Sequence, residues 1–323
     1  MNWVRRILIG AAVSLPLAGT AMGQNYPNNN VRLIVPFPPA GATDITARLV
    51  ANQLSKQWGQ TVIVENRTGA SGVIGSEAVA RAPAEGYTLL LGTLAGNVMT
   101  HLLRDKVPYG RDAFVPITVL GQTPNVLLAS SALPVKTLKE LIDYAKAHPG
   151  KVRYGSAGIG LSGHLGVALF AEEAKIDLIH VPYRGSAPSV EAFSRGEVEL
   201  TLALVPEAAN SMKSTPGVTP IAIAAAKRSD KFPDTPTFAE LGYPNIQVYA
   251  LSGLMVPKGT PQPIVEKIHK DTVIALKDPA VVERMNSLGI DPVGSTPAEF
   301  DKLLNDEFAR WEPLIRSKGI KAE

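Results

Sequence analysis

The sequence predicts an α/β protein built as two lobes, and three observations carry that prediction. Short apolar runs alternate with stretches of helical periodicity, the pattern of βα units around mostly parallel sheets. The alternation restarts near residue 125, as a second lobe requires. The chain has 323 residues, 45% hydrophobic and 19% charged, which is enough apolar surface for two cores and excludes intrinsic disorder.

Val31 to Phe37 reads as a buried strand ended by Pro38-Pro39-Ala40-Gly41. Ala47, Val50, Ala51, Leu54 and Trp58 then fall on one helix face that stops at Gly59. Thr61 to Glu65 and Tyr87 to Leu91 are strands flanking a short helix, Ile74 to Arg81. Val115 to Ala129 is strand-rich. Thr137-Leu138-Lys139-Glu140 is a capping box that opens a helix closed by His148-Pro149-Gly150. Strands at Lys151 to Ser156, Ile176 to Val181 and Val198 to Leu204 alternate with helices around Leu165 to Leu169 and Ser186 to Arg195. Thr219 to Ala226 and Tyr249 to Val256 are later apolar runs on either side of a Pro-rich connection. The tail is helical, with Asp278-Pro279 as N-cap and first helical residue and a second capping box at Thr296 to Glu299. Pro313 is expected to kink or break the last helix.

Arg5 and Arg6 precede an apolar run from Ile7 to Ala21 that ends in the small residues Ala21-Met22-Gly23. This is the pattern of a secretory signal peptide over residues 1–23, and the run falls short of the ~20 residues a membrane span needs. The mature protein is then expected in the periplasm. There is no cysteine, which excludes disulfides, thiolate nucleophiles and iron–sulfur clusters. Thirty-two basic against 29 acidic residues, scattered along the chain, give a net charge of +3, too weak for a nucleic-acid footprint.

Gly158-Ile159-Gly160-Leu161-Ser162-Gly163 spells a dinucleotide fingerprint between a strand and a helix. The acidic partner such a site needs would be Asp177, which falls at the start of the next strand and not at its carboxyl end, so no nucleotide cofactor is expected. What remains is a Gly-rich turn that presents main-chain N–H groups at a helix N-terminus, where an anion is stabilised. Pro39 to Asp44 forms a second junction of this kind, in which Thr43 or Asp44 either caps the helix or meets a ligand. Two such junctions, one per lobe, are placed to close on one anionic ligand. The five histidines lack metal-site spacing, and His164 either reaches the ligand or braces its loop. Gly69 to Gly75 fits no phosphate loop and reads as structural, and no nucleophile elbow is present.

At these residues the sequence resembles the Bug/TctC family, the extracytoplasmic solute-binding proteins of tripartite tricarboxylate transporters. The resemblance rests on VRLIVPFPPAGATDITAR at 31–48, VENRTGASGVIGSEAVARAPAEGYTLLLGT at 64–93 and YGSAGIGLSGHL at 154–165. It continues through IDLIHVPYRGSAPSVEAF at 176–193, PTFAELGYP at 236–244 and GLMVPKGTPQPIVEKI at 253–268.

The resemblance implies a two-lobed fold like that of periplasmic binding proteins, with two crossing strands and a ligand cleft between the lobes. The first lobe would span residues 24–124, the second 125–248, and residues 249–323 would return to the first. It implies a binding protein and no enzyme, a monomer without cofactor or metal, whose partners are a small organic carboxylate and the membrane components of the transporter. A ligand-sensing subunit for a signalling partner is the alternative, and a secreted hydrolase a weaker one. Carried over by position, the carboxylate grip falls on Ala40, Gly41, Ala42, Thr43 and Asp44, and on Ser156, Ala157, Gly158 and Gly160, with His164 beyond and Thr93 lining the cleft. This chain has Ala40-Gly41 where the family often has Gly-Gly, and Ala203 where an Asp is frequent. With Ile159 and Leu161 at the second turn, these departures point to a carboxylate with an apolar body.

Overall fold

The computed structural model describes residues 26–321, and the expected signal peptide lies outside them. The chain runs β1 (Val31–Val35), α1 (Ala42–Trp58), β2 (Val62–Asn66), α2 (Val73–Ala80) and β3 (Thr88–Thr93). A π-helical turn over Ala95–Met99 then leads into α3 (Thr100–Leu103). After β4 (Phe114–Ala129) come α4 (Leu138–Ala147), β5 (Val152–Ser156), α5 (Ser162–Ala174), β6 (Leu178–Pro182) and α6 (Ser186–Ser194). The second half continues with β7 (Leu200–Leu204), α7 (Val205–Ser214), β8 (Thr219–Ile223) and β9 (Tyr249–Pro257). It closes with α8 (Gln262–Leu276), α9 (Pro279–Ser287), β10 (Asp291–Pro292) and α10 (Pro297–Ser317).

The strands form one continuous sheet in the order β2-β1-β3-β9-β4-β7-β5-β6, with β8 and β10 also paired to β4. Pairs β1·β2, β1·β3, β5·β6 and β5·β7 are parallel, as their βα connections require. The sixteen-residue β4 carries the sheet from one half of the molecule to the other. From Phe114 to Pro124 it pairs antiparallel with β9, and from Asn125 to Ala129 it pairs with β7 and β8. At the change of partner, Asn125 Nδ2 donates to the Val248 carbonyl at 3.0 Å, just before β9 begins.

Two cores lie one in each half, and a third joins them, with Met99, Leu103, Trp311 and Leu314 packed against Leu165, Phe170 and Val248. Val31, Leu33, Val50, Leu54, Leu89 and Ile268 are buried together on one side, and Val126, Leu128, Phe193 and Val205 on the other. The three local start signals in the sequence all operate. Thr137 Oγ1 accepts from Glu140 N and Thr296 Oγ1 from Glu299 N, both at 3.2 Å, while Asp278 Oδ1 accepts from Ala280 N at 3.0 Å.

Of the kink or break expected at Pro313, the break does not occur: α10 continues through it to Ser317. Pro313 faces solvent, while Trp311, Leu314 and Ile315 are 2%, 6% and 3% exposed. Burying three large apolar side chains, each worth about 1.5–3 kcal/mol, outweighs the roughly 3 kcal/mol that an interior proline costs.

Candidate functional site

Between the halves lies a cavity of about 300 Å³. The first half contributes Ala42, Thr43 and Thr46 from the start of α1, and Thr93 to Ala95 after β3. The crossing strands add Thr123, Asn125 and Tyr249. The second half contributes Ser156, Ala157 and Gly160 to Gly163, together with Thr201 to Leu204.

Helices α1 and α5 both begin at this cavity, and neither has a side-chain cap. The N–H groups of a helical first turn have no partner within the helix, and the helix dipole gives them partial positive charge. Ala42 and Thr43 present that turn from one side, and Ser162 and Gly163 from the other. Gly163 is needed for the approach, since a Cβ there would stand 2.8 Å from the Leu202 carbonyl oxygen of β7.

The loop ahead of α1 is shaped by Asp44, which is 2% exposed. Its Oδ2 accepts from Ala40 N at 3.0 Å and from Arg48 Nε at 2.9 Å, and its Oδ1 accepts from Asn66 Nδ2 at 2.8 Å. Asn66 Nδ2 also donates to the Phe37 carbonyl at 3.0 Å, tying the loop to β2. Burial pushes the Asp44 carboxyl up, but the bonds from Arg48, Asn66 and Ala40 outweigh it and hold the group below the usual carboxylate range. Ala40 sits at φ 67°, a left-handed conformation that favours glycine. The Asp44 bond to Ala40 N maintains this turn without a glycine.

The loop ahead of α5 is braced by a column of rings. His164, 6% exposed, accepts the Gly160 N–H on Nδ1 at 3.0 Å. Its ring lies 3.8 Å from that of His180 with an interplanar angle of 3°, and His180 stacks in turn on Tyr154 at 4.8 Å. His180 Nε2 meets Ser156 Oγ at 2.7 Å. Burial lowers the His164 pKa to about 4; burial and the neighbouring His164 lower that of His180 to about 3. Both rings are neutral at pH 7.

Ala42, Thr43, Thr93, Ser156, Ala157, Gly160 and Ala203, all expected site residues, line the cavity. Ala40, Gly41, Asp44, Gly158 and His164 are not part of its lining; of these, Asp44 and His164 hold the two loops in shape. The sequence reading missed Thr46, Asn125, Ser162 and Trp311 in the lining and His180 behind it. His180 reaches the site only because β6 pairs with β5 in the register Tyr154 to His180, which no local pattern encodes.

Leu161 lines the cavity and is 38% exposed, whereas Ile159 is not part of the lining. Leu94, Leu202, Ala203, Leu204 and Trp311 extend the apolar wall. No Lys, Arg or His is found in the lining, and its ionisable acids are Glu207 and Glu307. Burial pushes the Glu307 carboxyl up against the opposing pull of Arg310 and Trp311. An anion in this cavity is therefore met by main-chain N–H groups and hydroxyls. Among the described residues no cluster of acidic and imidazole side chains could hold a metal, and no helix is long and apolar enough to cross a membrane.

Residues 46–320 match the family described as tripartite tricarboxylate transporter family receptor, TctC. Protein BugT of Bordetella pertussis is 35% identical, over 99% of this chain and 99% of its own. The structure of R. palustris Rpa4515 with adipate superposes with a TM-score of 0.76 at 33% identity, covering 92% of this chain and 99% of that one. The periplasmic binding protein BugD superposes with a TM-score of 0.73 at 32% identity, covering 92% of this chain and 100% of that one. The two-lobed α/β fold implied by the sequence resemblance is thus the fold observed, and the chain belongs to the TctC family of solute-binding receptors.

Proposed function

We propose that this protein captures a small organic carboxylate in the periplasm, as a monomer, and delivers it to the membrane components of a tripartite tricarboxylate transporter. The observation that carries the reading is the convergence of two uncapped helix N-termini, those of α1 and α5, on one cavity free of cationic side chains. Each terminus stabilises an anion by up to ~2 kcal/mol when partly buried, and each charge-assisted hydrogen bond adds about 1.5–3 kcal/mol. A few together reach the roughly 8 kcal/mol of micromolar affinity.

Closure follows a hinge at Pro124/Asn125 and Val248/Tyr249, where β4 changes partners, so that residues 24–124 and 249–323 move against 125–248, except the end of α10, whose Trp311, Leu314 and Ile315 are buried with the second half and stay with it. The ligand body is apolar. Leu161 and Ala203 stand in the cleft wall, where a hydroxyl or ammonium without a partner would be costly and an apolar surface gains roughly 25 cal/mol per Å² buried. A second carboxylate, such as that of the adipate bound by Rpa4515, would have to be placed in a lining whose only charged side chains are acidic.

Native mass spectrometry of protein purified from its own periplasm tests the reading, followed by a thermal-shift panel of aromatic acids, aliphatic diacids, amino acids and citrate. A retained monocarboxylate and stabilisation by aromatic or medium-chain acids are expected. Stabilisation by citrate or an amino acid alone overturns the ligand class, and a mature chain that still begins at Met1 overturns export.

A further inference from the structure

A second cavity, of about 550 Å³, lies away from the cleft between α10, the start of β4 and the π-helical turn. Its α10 wall is one helical face, Ala298, Asp301, Leu304, Asn305 and Phe308, and Phe114, Pro116 and Met255 close the apolar side. At this cavity one buried amide donor has no partner, and one guanidinium makes no hydrogen bond within the described residues. Asn97 is 8% exposed; its Oδ1 accepts the Thr93 N–H at 3.0 Å, but its Nδ2 is buried with no partner. A buried amide donor left unpaired is costly, and one placed on a π-helical turn is the kind of irregularity that gathers at functional sites.

The second donor is Arg111. Its guanidinium carbon lies 4.4 Å from the centroid of the Phe308 ring, which orients it, and its nearest acidic atom is Glu312 Oε2 at 3.8 Å, beyond hydrogen-bond range. Of the other charged groups at the cavity, Lys258 pairs with Asp112, while Asp301 accepts from Asn305 Nδ2 at 3.1 Å and keeps its negative charge. His101 is held below the usual imidazole range by burial and by Arg111, so it adds no charge at pH 7. Apolar walls, an oriented cation at one edge and an unpaired amide donor within describe the complement of a specific chemistry.

We propose that this cavity is a second binding site for a small organic acid with an apolar body, its carboxylate on Arg111 and a further acceptor oxygen on Asn97. The site is separate from the cleft, although Asn97 also holds Thr93, which lines it. The probe is 6-hydroxy-2-naphthoate, whose carboxylate and hydroxyl lie at opposite ends of an apolar scaffold. Equilibrium dialysis of the full chain gives the number of saturable sites in wild type, Thr43→Asp, Arg111→Glu and Ala298→Trp. Arg111 and Ala298 are exposed and do not line the cleft, so neither change threatens the core or the first site. The expected result is a site that survives Thr43→Asp and is weakened at least tenfold by both Arg111→Glu and Ala298→Trp. If every saturable site withstands Arg111→Glu and Ala298→Trp, if none survives Thr43→Asp, or if no saturable binding occurs, the proposal is overturned. Failure of the cleft reading looks different, with Thr43→Asp changing nothing.

Discussion

Nδ1 of His164 accepts the main-chain N–H of Gly160 at 3.0 Å, so the Gly-rich turn is held by an imidazole at its back and not by its ligand. That N–H is engaged within the protein, which leaves the uncapped first turn of α5 as the part of the motif with free N–H groups at the cavity. Gly160 itself sits at φ 78° with Leu103 Cδ1 only 2.0 Å from where a Cβ would be, so any side chain there disturbs packing as well as binding.

Stability is expected to fall as the pH drops from 7 to 4. The His164 pKa is depressed to about 4 in the folded protein against about 6.5 unfolded. The unfolded chain therefore binds more protons across that window, and the stabilisation present above pH 6.5 is lost on acidification, by about 3 kcal/mol for this residue. Urea unfolding at pH 7 and 4.5 measures it. His164→Asn, which keeps an acceptor for Gly160 but cannot titrate, removes this residue's share and leaves that of His180, whose pKa is also depressed.

Thr43→Asp separates the ligand from the fold. A carboxylate in the uncapped first turn of α1 favours the helix by about 0.3–1 kcal/mol while repelling an anion in the cleft. Calorimetry is expected to show at least a tenfold loss of affinity for the carboxylate with an unchanged or higher Tm. Unchanged affinity would remove this turn from the site.

Asp44→Ala is expected to cost about 2–3 kcal/mol and to weaken binding together with it, because three donors lose their acceptor. Asp44→Asn keeps part of both. Chemical denaturation and titration on the same variants check that the two losses move together, as they do for a loop-shaping residue.

Ala40→Gly is expected to stabilise the protein by about 0.5–1 kcal/mol, since left-handed backbone costs an alanine roughly 1–2 kcal/mol and glycine recovers only part of that against its unfolded-state entropy. A thermal melt showing a rise of about 2 °C supports the assignment, and a fall counts against it.

Features decided within a few residues were legible in the sequence. The caps at Thr137, Asp278 and Thr296 depend on side chains two or three positions from the backbone they satisfy, and all three form. The π-helical turn after β3 was not legible; α7 between Leu204 and Thr215 was missed although Pro206 and Glu207, which accepts from Leu204 N, mark its start locally. The site divides the same way. Both strand-to-helix junctions could be read from Pro38 to Asp44 and from Gly158 to Gly163, but the division of labour within them could not. Asp44 faces inward because Asn66 arrives from β2, and the His164–His180 stack exists because β5 and β6 are neighbours.

The unbroken course of β4 makes the two lobes inseparable as folding units. A chain cut between Pro124 and Asn125 would truncate β4 in each fragment and part β9 from both its partners, leaving unpaired edges on β3, the first stretch of β4 and β9, the arrangement that invites intermolecular strand pairing. Each fragment made alone would tend to aggregate, whereas fragments made together carry the missing complement for one another. A sheet that runs unbroken from one half to the other thus obliges the two to fold as one.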